Sequence, residues 1–365
     1  MTAQRPRKIF VSDCEGPISK NDNAYELTCH FIPNGDKFFS LISRYDDLLA
    51  DVLKKKGYKA GDTLKLILPF LKAYSVTNQK MEDFAAKNIV LVSGAKDTLQ
   101  FVQKIMPSFI VSTSYEHYIS ALCKAVNFPF ENTYSTKVDV DKYQTTKEET
   151  EKLKQLAKET ITMPIFEIPR NAKSLEDFPP SDQATIRGLD EIFWSKIPSM
   201  PAGKMLEEVN PVGGKEKANA VKEIVAQNGC TVDCVMYIGD SITDAECFQF
   251  IRNGDGLTVS FNGNSYAVRE AEIAVMSENT IVTSILADVF AQLGKDAVLQ
   301  LVKKWSFLAL RHFKVNPSLV MHAQRSYSPN LPRVEVVTKE NKEGLMKESV
   351  AFRKKVRGEA IAKLG

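Results

Sequence analysis

Lys8-Ile9-Phe10-Val11-Ser12-Asp13-Cys14-Glu15-Gly16-Pro17 is the stretch on which the reading of this chain turns. A basic residue opens a short apolar run, the pattern of a strand buried on both faces of a parallel sheet. The run stops on two carboxylates one residue apart, and Gly-Pro then forces the chain to turn. In open α/β sheets, chemistry sits at the carboxyl ends of the strands. Side chains alternate along a strand, so Asp13 and Glu15 share a direction while Cys14 points the other way, into the core. Two acids aimed into one crevice repel each other unless a cation or a shared proton compensates. By itself the stretch reads equally as a strand followed by an Asx-turn, and the downstream sequence decides.

Working outward, a strand is expected at 89–92 and a helix at 95–105. The apolar strand Phe109-Ile110-Val111 then runs into a hydroxyl loop, Ser112-Thr113-Ser114-Tyr115. After a Pro-punctuated stretch, Val212-Gly213-Gly214-Lys215-Glu216-Lys217 opens a helix. The buried run 234–238 follows and ends on Gly239-Asp240-Ser241-Ile242-Thr243-Asp244, and 257–261 reads as the last core strand. This alternation predicts an α/β fold with a doubly wound parallel sheet. Segment by segment, plainer readings exist. Ser112 to Ser114 and Asp240 suit helix caps, and Lys215 and Lys217 suit a solvated helix start. It is their occurrence in order, each at a strand end or helix start, that singles them out.

The core is expected to be discontinuous, formed by 1–19, 86–140 and 206–284. Helical spacing over 20–85, with few strand signals, predicts a helical cap insertion, and the charged, Pro-punctuated segment 141–205 a second one. Within the first, Arg44-Tyr45-Asp46-Asp47 reads as a solvated helix face, with ligand contact as the alternative. The segment 285–365 reads as a helical C-terminal extension ending in a basic helix through Arg353, Lys354, Lys355 and Arg357.

Composition bounds the function. The chain has 365 residues, 44% hydrophobic and 25% charged, with a net charge of +3. That balance gives no warrant for a nucleic-acid surface. Four His and six Cys are scattered without zinc spacing, and reduced thiols in a cytoplasmic protein are the expectation. No apolar run is long enough to span a bilayer, and residues 1–7 lack the apolar stretch of a signal peptide.

Acid pair, hydroxyl, lysine and acid pair, gathered at one sheet edge, suit phosphoryl transfer. A carboxylate can attack phosphorus, a second acid can protonate the leaving oxygen, and a hydroxyl and an ammonium can hold the phosphoryl oxygens. A hard divalent cation with carboxylate ligands lets an anionic nucleophile approach a phosphate. Asp13-Cys14-Glu15-Gly16, the Ser112 loop, Lys217 and Gly239-Asp240-x-x-x-Asp244 resemble, in order, the four motifs of the haloacid dehalogenase (HAD)-like superfamily. The resemblance covers the discontinuous core and neither the insertions nor the tail. It implies a magnesium-dependent phosphatase acting on a small phosphorylated metabolite through an aspartyl-phosphate. Asp13 would be nucleophile and magnesium ligand, and Glu15 the general acid/base that also offers its carbonyl to the metal. Ser112, with Thr113 as the neighbouring alternative, would hold phosphate with Lys217, and Asp240 and Asp244 would supply metal carboxylates.

Two departures stand out. Position 15 is Glu where most members have Asp, although enolase-phosphatases of the superfamily also show Asp-x-Glu-Gly. Pro17 replaces the usual Thr, which removes a hydroxyl and an N–H. The run from Ser43 to Phe70 more narrowly resembles archaeal HAD-like proteins, some assigned as a subunit of the methanogens' energy-converting hydrogenase. The alternative function is therefore a non-catalytic or regulatory subunit of a larger complex. Partners are expected to be a small phosphorylated substrate, with no nucleic acid and no membrane, and either a second copy or a complex.

Overall fold

The computed structural model describes residues 8–169, 171–362 and 364. The polar stretch 1–7, read as carrying no signal peptide, lies outside the described residues. One sheet of seven strands organises the chain: β1 (Ile9–Ser12), β2 (Ser108–Tyr115), β3 (Thr133–Thr136), β4 (Val235–Gly239), β5 (Leu257–Phe261), β6 (Ile273–Met276) and β7 (Arg333–Val336). Their order in space is β3-β2-β1-β4-β5-β6-β7, and every pairing is parallel except that of β6 with β7. β1 pairs with β2 on one side and β4 on the other. The strand order therefore reverses beside the Asp13 end of β1, where an open α/β sheet leaves a crevice.

The β1 residues show why the sheet is doubly wound. Ile9 and Val11 pack on one face with Val221 and Ile224 of the helix Lys215–Gln227 and with Phe248 of the helix Ala245–Asn253. Phe10 packs on the other face with Leu99, Ile119 and Ile285, from the helices Ala95–Ile105, Glu116–Val126 and Ile281–Leu293. Full burial of one such side chain contributes about 1.5–3 kcal/mol, so a strand apolar on both sides is stable only between two helical layers.

Several expectations need correction. No strand forms at 89–92. That segment instead bonds the turn after β1, with Val92 N–H donating to Ile18 O at 2.9 Å and Lys20 N–H donating to Val90 O at 2.8 Å. The hydroxyl residues Ser112 to Ser114 lie inside β2 and not in a loop beyond it. The sheet continues two strands past 257–261, because β6 and then β7 extend its edge. The C-terminal extension is thus not purely helical. Its helices also seat Leu301, Leu310 and Ala323 in the same apolar layer as Phe10, so it packs on the core of its own chain.

Both insertions feed one apolar cluster. Phe38 and Phe70 of the first meet Phe193 of the second, with the Phe70 and Phe193 rings 6.0 Å apart edge to face. The Arg44 to Asp47 patch is no solvated face, for Tyr45, Asp46 and Asp47 are buried. Tyr45 donates its hydroxyl to Asp190 across the two insertions. Asp46 accepts from Tyr58 Oη at 2.6 Å and from the N–H groups of Gly61 and Thr63, which fixes the loop between two cap helices. The helical periodicity was real, but its polar side faces another part of the cap.

Asp47 carries the cost of that arrangement. Burial, reinforced by the Asp46 charge and opposed by Arg44, raises its pKa to about 8, and its Oδ1 has no hydrogen-bond partner. A raised carboxyl favours the folded state while protonated, and the benefit is lost as pH rises through the folded value. Asp47→Asn is therefore expected to leave the thermal midpoint unchanged near about pH 4 and to raise it by about 2–4 °C near about pH 9. Melting curves at the two pH values check this.

Candidate active site

At the carboxyl edge of the sheet, β1 ends on Asp13, whose N–H donates to Ile238 O at 2.7 Å. The ladder with β4 thus holds the backbone from which the carboxylate projects. Asp13 Oδ1 accepts from the Cys14 N–H at 2.6 Å, and Oδ2 accepts from Lys217 Nζ, also at 2.6 Å. Lys217 lies in the first turn of the helix Lys215–Gln227 and is wholly buried. Its ammonium also reaches Asp244 Oδ1 at 2.8 Å. Burial works against the charged form of Lys217, but the two carboxylates outweigh it and hold its pKa above the ordinary value. Asp13 behaves in the opposite sense. Its burial outweighs Lys217, and its pKa rises to about 7.

The loop after β4 places the other acids. Asp244 accepts at Oδ1 from Lys217 and from Tyr237 Oη at 2.8 Å, and at Oδ2 from the N–H groups of Asp240 and Ser241. Both its oxygens are occupied, so it orients Lys217 and closes the turn. Asp240 receives Arg353 and Arg357, both on Oδ2, which leaves Oδ1 for another partner. The turn residue Gly16 has a φ of +100°, and a Cβ there would lie 2.1 Å from Asp240 Oδ2. Only glycine lets the turn after β1 pass this close to the acid.

Glu15 lines the same cavity as Asp13, as their shared direction on the strand required. Its carboxylate accepts from the Asn23 N–H at 2.6 Å, and burial, helped by Asp22, holds its pKa well above the carboxylate range. Burial thus favours the protonated form of this carboxyl group over the ionised one. Ser112 and Thr113 both border the cavity, but the Thr113 hydroxyl donates to Val212 O at 3.0 Å. Ser112 Oγ accepts from the Ser114 N–H at 3.2 Å, so its proton is free to meet an incoming oxygen. Pro17 is not among the residues lining this cavity. It lines a small void under the turn with Phe10, Ile18 and Leu99. The missing threonine hydroxyl therefore leaves the charged constellation unchanged.

The structure thus brings together every residue singled out from sequence: Asp13, Glu15, Ser112, Lys217, Asp240 and Asp244. Oxygens of Asp13, Asp240 and Asp244 lie within 4.8 Å of one another, and a buried set of hard oxygen donors suits a divalent cation. Asp13 and the free Oδ1 of Asp240 would hold it, with Asp244 completing the set. Cap residues Phe39, Ser43, Asp46 and Thr63 roof the cavity, which has ≈ 90 Å³ for small molecules.

The sequence reading missed Arg353 and Arg357. They lie on the helix Lys342–Arg357, read as a basic tail, yet their side chains are buried against Asp240. Their spacing of one helical turn was the available signal, since residues four apart share a helix face.

No family profile and no curated protein matches the chain. Among solved structures it is similar to an Archaeoglobus fulgidus gene product, at 26% identity and a TM-score of 0.79, over 98% of this chain and 99% of that one. A phosphoserine phosphatase described as a phospho-aspartyl intermediate analogue aligns at 12% identity and a TM-score of 0.47, over 77% of this chain and 98% of that one. An Agrobacterium tumefaciens haloacid dehalogenase-like protein of unknown function aligns at 13% identity and a TM-score of 0.33, over 77% and 98%. At these values the last two likenesses say nothing of function. The four motif positions are gathered at the switch point of the mostly parallel sheet, the α/β arrangement expected from the sequence. Among the described residues, no helix is long and apolar enough to cross a membrane.

Gly16 and Gly57 separate backbone strain from site geometry, because both have positive φ and nothing lies within 4 Å of a Cβ at Gly57. Gly57→Ala is expected to cost about 1–2 kcal/mol of strain alone. Gly16→Ala is expected to cost clearly more in urea unfolding, since it also pushes Asp240 off its arginines.

Proposed function

We propose that this chain is a divalent-cation-dependent phosphomonoester hydrolase that acts on a small phosphorylated metabolite through an aspartyl-phosphate on Asp13. The observation that carries the reading is the buried Asp13–Lys217–Asp244 chain, with Asp13 at 2.6 Å and Asp244 at 2.8 Å from one ammonium, opening onto a cavity shared with Glu15, whose pKa burial raises. A magnesium ion bound by Asp13, Asp240 and the Glu15 carbonyl would supply positive charge that draws phosphate and carboxylate together.

The chain's own groups then have separable tasks. An Asp13 oxygen attacks phosphorus as the ester P–O bond breaks, and the Glu15 carboxyl gives its proton to the leaving alkoxide. Glu15, now ionised, takes a proton from the water that attacks phosphorus, which frees inorganic phosphate and restores Asp13. Lys217 fixes the rotamer of Asp13 before attack, and the Ser112 hydroxyl is placed for a phosphoryl oxygen. The cap roof limits the cavity to a compact substrate and keeps bulk water from the anhydride.

Phosphate release from an aryl phosphate and from a panel of phosphorylated metabolites, with magnesium and with a chelator, tests this. Release is expected to need magnesium and to fall by about 10³-fold or more in Asp13→Asn and in Lys217→Met. Silence of the natural sequence across the panel with magnesium present, or full activity of Asp13→Asn, would overturn it.

A further inference from the structure

Resting on that reading of the site, a property follows from the C-terminal helix. Arg353 and Arg357 stand one turn apart on Lys342–Arg357 and converge on a single oxygen of Asp240. Arg357 is held by its own chain as well. Its Nε donates to Lys20 O at 3.1 Å and its Nη2 to Asn21 O, which anchors the helix to the segment after the Asp13 turn. Arg353 is held differently. It is 3% exposed and borders the cavity, it touches Asp240 and backbone oxygens through Nη1 only, and its Nε is buried without a partner. A buried guanidinium with an unspent N–H is suited to receive a phosphate oxygen.

The charges around the cavity decide what such a site can bind. Three buried carboxylates, Asp13, Asp240 and Asp244, are ion-paired with three cations, Lys217, Arg353 and Arg357, while Glu15, Asp22 and Asp46 also line the cavity with pKa values that burial raises. Without the two arginines this cluster would carry a net −2 and would draw a divalent cation unaided. With them every paired acid of the cluster already has a cationic partner. A divalent cation entering alone leaves an uncompensated +2 in a buried site, and a phosphate dianion entering alone leaves −2, and both are costly. Entering together they cancel.

We propose that Arg353 and Arg357 make the divalent cation and the phosphate dianion bind as a pair, each raising the affinity for the other, with Arg353 turning from Asp240 to the phosphate as the cation takes Asp240. The C-terminal helix is then part of the phosphate site, and Arg357 positions it.

Titration calorimetry of Mn²⁺ on the full chain, with and without inorganic phosphate, reads this without any turnover. Phosphate is expected to tighten Mn²⁺ binding to the natural sequence by about tenfold or more, and Mn²⁺ to tighten phosphate equally. Arg353→Met is expected to tighten Mn²⁺ binding in the absence of phosphate and to shrink the coupling towards unity, while Arg353→Lys keeps most of it. Equal Mn²⁺ affinity with and without phosphate in the natural sequence would overturn the proposal and leave the phosphatase reading standing. No Mn²⁺ binding in any arm would remove the cation site, and both readings with it.

Discussion

A lysine ammonium buried between two carboxylates is the constraint from which the rest of this structure follows. Lys217 is wholly enclosed, with Asp13 and Asp244 its ionic partners. A charge so placed is tolerated only with close, well-oriented partners, and removing one leaves another charge stranded. Lys217 comes from a helix on one face of the sheet, Asp13 from the end of the central strand, and Asp244 from the loop after its neighbour. One contact set therefore fixes where helix, strand and loop meet. Asp13 is thereby held at both oxygens, while burial, against the pull of Lys217, keeps its pKa near 7.

Around this fixed point the first insertion and the C-terminal segment border one small cavity. The two insertions do not form separate lids, since Phe70 and Phe193 belong to one apolar cluster. Leu364 joins that cluster and also borders the cavity, so the C-terminal segment contributes to its wall. The second constraint is electrostatic. Acids brought together in a buried cluster need counter-charges, and the chain supplies two of them from its last long helix.

What the sequence made legible was local. The apolar run ending on Asp13 and the apolar run ending on Gly239-Asp240 each carry their meaning within a few residues, because strand, turn and acid are contiguous. Lys217 was recognisable only through its order among the motifs, and its burial was not. What stayed hidden depends on contacts between distant segments. Arg333-Val334-Glu335-Val336 alternates as an edge strand should, yet four residues give little pattern, and its partner lies about sixty residues earlier. Asp46 and Asp47 look like solvent-facing charges until Tyr58, Gly61 and Thr63 are known to surround the first of them. Arg353 and Arg357 read as basic tail because Asp240, their partner, is more than a hundred residues away.

In the proposed reaction Asp13 carries the phosphoryl group in a covalent intermediate. The most direct measurement is acid quenching during turnover of a phosphate-labelled substrate, followed by peptide mapping. Hydroxylamine-sensitive label is expected on the peptide that contains Asp13, and none in Asp13→Asn. Sustained phosphate release with no label, or with label on a different peptide, would contradict it.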